Sequence, residues 1–200
     1  MRTTLAALAL LLPAALTGCA TPTGIAAYDA FDAYEGERVS LAGYEAVHVA
    51  PVTSSPEIVA RIDVSPIGPR NRVRPLQEST LAEKQDDLAE ELARRLSQVA
   101  TLRDAPGPGV LTVAAELTEL QANRPTMAEL SAQPGLDFRS VSVGDAGVRI
   151  TLSEDGRVIG VIDDRAVQRN FNDPTIGVTT WGTADQYFAR VAEKVAALLR

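Results

Sequence analysis

One histidine and one cysteine occur among 200 residues, and those two scarcities exclude most hydrolytic and metal chemistry at once. Protein zinc sites draw three or four ligands mainly from Cys and His, more than His48 and Cys19 can supply. A Ser-His-Asp arrangement would have to use His48, and no Gly-x-Ser-x-Gly elbow is present to carry the nucleophile. His48 lies between Val47 and Val49 and reads as a strand residue. Glycine-rich phosphate loops are missing as well. Aromatic residues make up only 4%, and 19 Lys and Arg stand against 26 Asp and Glu, a net charge of −7. Nucleic-acid binding calls for a basic face and is therefore not expected. Beyond the N-terminus no apolar run approaches the roughly 20 residues of a membrane-spanning helix. The chain reads as non-enzymatic, with no catalytic residue, metal or cofactor.

The N-terminus is the most specific part of what is present. Arg2 precedes an apolar run from Leu5 to Leu12, and Leu16-Thr17-Gly18-Cys19 follows. A basic start, a short apolar segment and small residues before a cut describe a secretory signal. With the cysteine, the tetrapeptide resembles the bacterial lipobox, in which the thiol receives a diacylglyceryl group and the chain is cut just before it. That resemblance also explains a lone cysteine, which has no internal partner for a disulfide. It implies residues 1–18 as signal peptide, lipidation at Cys19, and a membrane anchor of two or more acyl chains, enough for stable attachment. In such lipoproteins an aspartate after the cysteine favours the inner membrane. Ala20 stands there, so the expected address is the outer membrane, on its periplasmic side.

Residues 19–43 read as a lipidated tether, rich in Ala, Gly and acids. Within it Tyr28, Phe31 and Tyr34 recur every three residues, which leaves room for one helical turn or a docking stripe. Residues 44–200 read as a single periplasmic domain. Residues 44–52 form a β-branched run stopped by Pro51, 57–64 suggest a short edge strand, and prolines at 66, 69 and 75 mark 65–78 as a loop. Leu81, Leu88, Leu92, Leu96 and Val99 set one apolar helical stripe, with a capping box at Thr80 and Glu83. The opposite face carries Lys84, Asp86, Asp87, Glu90, Glu91, Arg94 and Arg95, with Glu90–Arg94 and Glu91–Arg95 as expected pairs. Val110 to Leu120 alternates as a strand, and 121–137 is irregular apart from one helical turn near Thr126 to Glu129. Residues 148–152 and 157–162 flank an Asp-Gly turn and form a hairpin, with Gly160 marking a bulge or close packing. The last helix starts at a Thr183 cap with Gln186 at the box position, its apolar stripe runs from Phe188 to Leu199, and Trp181 staples its start. This order predicts an α+β two-layer domain, a mixed or antiparallel sheet of about four to five strands with two main helices on one face.

Several of these stretches carry a wider resemblance. The opening Leu41-x-x-Tyr44-x-x-Val47-x-Val49-Ala50-Pro51-Val52, then Leu117-Thr118 with Asn123, then Gly144-x-Ala146-Gly147 leading to Leu152 and Asp155-Gly156, and finally Trp181-Gly182-x-Ala184-x-x-x-Phe188 occur in that order. Together they resemble a family of short, functionally uncharacterised Gram-negative outer-membrane lipoproteins, from about residue 41 onward. The arrangement is also similar, at longer range, to periplasmic lipoproteins that assist curli secretion and cell-wall synthases. The resemblance supplies no catalytic motif.

The candidate binding feature is the segment Pro69 to Pro75, where Arg70, Arg72 and Arg74 alternate in an otherwise acidic chain. Guanidinium groups pair bidentately with phosphate or carboxylate. The same arginines can instead pair with this protein's own acids. Adjacent Asp163 and Asp164 should point to opposite faces of a strand, which argues against a carboxylate pair acting on one ligand. The expected role is binding of an envelope protein partner in assembly or maintenance. The alternative is a small-ligand or glycan-binding lipoprotein, its ligand held between the sheet and loops 65–78 and 121–137.

Overall fold

The computed structural model describes residues 22–62, 74–132, 135, 137, 144–166 and 179–200, and every structural statement below concerns these. A 3₁₀ helix, Gly24–Ala30, opens the described chain and leads into strand β1, Ala33–Gly36. Strands β2 (Ala46–Val49) and β3 (Thr53–Ser54) follow, separated by a break at Pro51, whose missing N–H interrupts a ladder. Helix α1 is Pro56–Val59 and α2 is Glu78–Leu96. Strands β4 (Thr101–Leu102) and β5 (Val110–Gln121) precede α3, Met127–Ala132. The hairpin β6 (Asp145–Glu154) and β7 (Arg157–Arg165) precedes α4, Gly182–Ala197.

All the strands join one seven-stranded mixed sheet in the order β1-β7-β6-β5-β2-β4, with β3 also on β5. β5, β6, β7 and β1 run antiparallel, whereas β2, β3 and β4 are parallel additions. The parallel pairing requires a crossover, and α2 provides it between β2 and β5. Alternation along β5 sends Leu111, Val113, Ala115 and Leu117 into the core, joined by Val148, Ile150 and Leu152 of β6. Helices α2 and α4 cover that face through Leu81, Leu88, Leu92 and Leu96 on one, and Phe188, Val191 and Val195 on the other. Lys84 contacts Asp185 and Arg95 contacts Glu193, so the two helices lie side by side in the same direction. This is the expected two-layer α+β architecture, with more strands than the four to five anticipated.

The additional strands are those with little pattern of their own. Residues 24–36, expected inside a flexible tether, are part of the domain. Tyr28 and Phe31 are buried, Tyr28 stacks on Tyr34 with ring centroids 4.3 Å apart, and β1 completes the sheet edge on β7. Gly160 of β7 makes this possible, because a Cβ there would lie 2.3 Å from the Tyr34 hydroxyl. Gly160 shows both features expected of it: it packs closely on Tyr34, and a bulge lies beside it, since Leu152 pairs with Gly160 and Ser153 with Val158, leaving Ile159 of β7 as the extra residue.

Three local expectations are corrected. The described part of 57–64 starts as helix α1, not a strand, because Pro56 at the first helical position presets the backbone behind Ser55. Thr80 and Thr183 do not cap their helices. α2 begins two residues earlier, at Glu78, and α4 at Gly182, neither with a side-chain cap from its own N-cap residue. Lys84 is buried, not solvated. It lies 2.5 Å from Asp87 and 3.0 Å from Asp185, in the seam between α2 and α4.

Candidate functional site

The end of the sheet where β5 finishes gathers the loops that the sequence singles out. The Nε of Arg61 donates to the Arg74 carbonyl at 2.9 Å, and its Nη1 to the Leu120 carbonyl at 2.5 Å. Burial pulls the Arg61 guanidinium below its ordinary pKa, the Glu129 charge opposes this, and the neighbouring Arg74 adds to it. Arg74 turns inward: its Nε lies 3.4 Å from Glu129 and its Nη1 donates to the Ala122 carbonyl at 3.3 Å. Glu129 also accepts from the Thr126 amide at 2.8 Å, while its own amide donates to the Thr126 hydroxyl at 3.3 Å. That reciprocal pair is a capping box, and it starts α3 at the turn expected there. Arg74 therefore binds the loop before α2 to the loop after β5. Arg70, Arg72 and Cys19 lie outside the described residues.

Beside this junction is a shallow cleft of about 450 Å³. It is lined by Gln77 just before α2, by Thr80 and Glu83 within it, by Arg124 to Met127, and by Thr180 and Trp181. Met127 is 61% exposed, and Trp181 packs its inner side on the core while the Lys84 ammonium stands 6.0 Å from its ring centre. Asn123, buried next to Arg124 in the chain, ties this region to α4. Its amide nitrogen donates to the Thr183 hydroxyl at 2.7 Å, and its carbonyl accepts from the Thr183 backbone N–H at 2.9 Å. The first turn of α4 is thus capped from 60 residues away. Met127 and Trp181 do not stand out as a pair in the sequence, since only the fold brings such distant positions into one cleft.

The sheet face opposite α2 and α4 carries a broader polar cleft of about 670 Å³, lined by Asp32, Glu57, Glu116, Glu119 and Asp163 together with Arg149 and Arg165. Arg149 grips Asp163 with two hydrogen bonds, 2.8 and 3.2 Å. Asp164 points the other way, as the strand alternation requires, and pairs with Lys194 at 2.8 and 3.0 Å. It also accepts from the Asp32 amide, and its backbone carbonyl accepts from the Tyr187 hydroxyl at 2.6 Å. Burial raises the Asp164 carboxyl, and Lys194 pulls it back. At the start of β6 the Asp145 carboxyl is pushed up to about 6, first by burial and then by the adjacent Glu119. His48 is partly buried on β2, its Nδ1 3.0 Å from the Arg103 carbonyl. Among the described residues, no three His, Cys, Asp or Glu side chains converge to hold a metal ion, and no helix is long and apolar enough to cross a membrane.

No family model matches the sequence, and no curated protein matches it. Among solved structures the chain is similar to the PelC dodecamer from Paraburkholderia phytofirmans in two crystal forms. A point variant gives a TM-score of 0.42 at 9% identity, covering 82% of this chain and 95% of that one. The second form gives 0.40 at 11%, covering 81% and 96%. It is also similar to a Xanthomonas campestris protein of the uncharacterised family DUF330, at 0.35 and 14%, covering 76% and 81%. At TM-scores below 0.5 these likenesses transfer no residue role and no assembly.

Proposed function

We propose that this chain is an outer-membrane lipoprotein, anchored by lipid on Cys19, whose periplasmic domain binds an envelope protein without catalysing a reaction. The observation that carries the partner-binding part is the cleft shared by Met127, Trp181 and Arg124. Trp and Arg are the residue types that most often dominate binding energy at protein interfaces, and Met adapts its shape to a partner. The cleft is held by backbone elements on three sides, α2, the Asn123 junction and α3, which limits the ordering cost of binding. The charged groups beside it, Lys84 and Glu129, are engaged in internal ion pairs, which suits a structural support.

The test is crosslinking in living cells of a tagged wild-type protein beside Met127→Glu and Trp181→Ala variants, with identification of what is attached. Wild type should retain a reproducible envelope protein, and each variant should lose about tenfold or more of it, the effect of removing about 1.4 kcal/mol of binding. Equal capture by both variants places the interface elsewhere. Capture of nothing specific by wild type favours the glycan alternative. For that reading the larger cleft, with its carboxylates and Arg149 and Arg165, offers the partners that sugar hydroxyls use.

A further inference from the structure

The two ends of the sheet differ in a way that fixes how an anchored domain would stand. By register, the starts of β2, β4 and β5 share one end with the β6–β7 turn: Val47 pairs with Leu102 and Leu111, and Leu111 pairs with Glu154. α2 and α4 both finish at this end, where the Thr101 amide donates to the Glu45 carbonyl. The chain enters here too. Gly24, at a positive φ of 58°, lies against the Arg200 carbonyl, 3.3 Å from where a Cβ would be. The cleft of Met127 and Trp181 lies at the opposite end, beyond the last residues of β5.

The leash is short. Gly24, five positions after Cys19, is already packed against the Arg200 carbonyl. Fully extended chain spans at most about 3.6 Å per residue, so the lipid-bearing residue stays within about 18 Å of Gly24. The 12 residues of β5 cover about 40 Å at about 3.3 Å each. The far end is therefore out of the anchor's reach. The near end also carries exposed aliphatic residues: Ile25 is 51% exposed, Val158 55% and Leu102 38%, and the register puts Val158 beside the β6–β7 turn and Leu102 at the level of Val47 and Leu111. Its charges are mixed, with Arg38 paired to Asp29 and Arg200 to Glu193, so it is not a cationic patch.

From this we infer that the domain stands on the leaflet that holds its lipid, with the 3₁₀ helix, the β6–β7 turn and the C-terminus of α4 against the headgroups and the Met127–Trp181 cleft pointing away. The inference rests on the lipoprotein reading above. The acyl chains provide the affinity, and Ile25 and Val158 at the headgroup–acyl boundary set the orientation. Held on so short a leash, the domain cannot tumble freely, and the loop-bearing end faces the aqueous compartment where a partner would meet it.

Lipidation consumes the sole cysteine, so an introduced cysteine is the only free thiol. Ile25→Cys, Val158→Cys and Met127→Cys variants of the full, lipidated protein are labelled with an environment-sensitive fluorophore. Each is reconstituted in phosphatidylethanolamine–phosphatidylglycerol vesicles containing nitroxide-labelled lipid, and mass spectrometry of the N-terminal peptide accompanies each sample. Probes at 25 and 158 should be quenched several-fold more than the probe at 127. Lipidated protein with equal quenching at all three positions, or stronger quenching at 127, overturns the orientation and leaves the lipoprotein reading intact. An N-terminus without lipid on Cys19 overturns both.

Discussion

Three aspartates of the hairpin show how one residue type takes different roles from its surroundings. Asp163 is half-exposed and held by Arg149, Asp164 is buried and neutralised by Lys194, and Asp145 has Glu119 rather than a cation as its principal neighbour. Burial and the Glu119 charge hold the Asp145 carboxyl up to about 6, against an ordinary 3.8. The folded protein then keeps a proton that the unfolded chain releases near pH 4. Stability from this proton is fully present below about pH 4 and is lost as pH rises through 6. Ionised Asp145 is therefore a penalty at neutral pH, and Asp145→Asn should stabilise there. Solvent screening at this half-buried group limits the gain to about 1 kcal/mol at pH 7, shrinking to near zero by pH 4. Denaturant titrations of both proteins between pH 4 and 7 measure the difference directly. A gain that stays constant with pH would mean that Asp145 titrates normally. Asp164 is raised in the same sense, but it is present in both proteins and cancels from the comparison.

At the level of elements, α4 takes its start from a residue outside its own sequence. Removing the Asn123 side chain leaves the Thr183 amide and hydroxyl without the partners it supplies inside a buried site. Asn123→Ala should cost about 1–3 kcal/mol in urea unfolding, and hydrogen exchange should speed selectively in the first turn of α4. Asn123→Asp, which keeps the acceptor for the Thr183 amide, should lose less. A cost below about 0.5 kcal/mol with unchanged exchange would show that α4 is held by its apolar stripe alone. The same residue shows where reading from sequence runs out. The leucine stripe of α2, the alternation of β5 and the Asp155-Gly156 turn, both of whose residues take positive φ, are local patterns and are legible. A cap that arrives from residue 123 is not, so a local reading places the start of α4 at Thr183. β1 is equally illegible, since four residues with one aromatic acquire meaning only when Gly160 leaves space for Tyr34. Of the candidate site, Arg74 as a charged loop residue and the helical turn near Thr126 to Glu129 are within reach of the sequence. The inward turn of Arg74 depends on Glu129, which lies far along the chain from it.

For the whole molecule, the decisive question is where the domain begins. A tether ending at residue 43 would leave a domain indifferent to everything before it. The structure instead buries Tyr28 and Phe31 against α4, places the Lys194 ammonium 5.5 Å from the Phe31 ring, and closes the sheet edge with β1. Burying an aromatic side chain contributes about 1.5–3 kcal/mol, so these two supply about 3–6 kcal/mol, a large part of the roughly 5–15 kcal/mol that keeps a typical domain folded. Losing β1 also removes the Asp32 amide from Asp164 and exposes the β7 ladder as a bare edge, a template for pairing with other chains. A soluble protein beginning at Pro22 should therefore melt cooperatively at the temperature of one beginning at Ala20. One beginning at Leu41 should melt about 10 °C lower or more, or aggregate, since for a domain of this size each kcal/mol moves the midpoint by about 2–4 °C. Calorimetry of the two proteins side by side separates the readings, and equal midpoints would restore residues 22–40 to the role of a passive stalk. They would also lengthen the proposed leash several-fold, enough to overturn the inferred stance on a membrane.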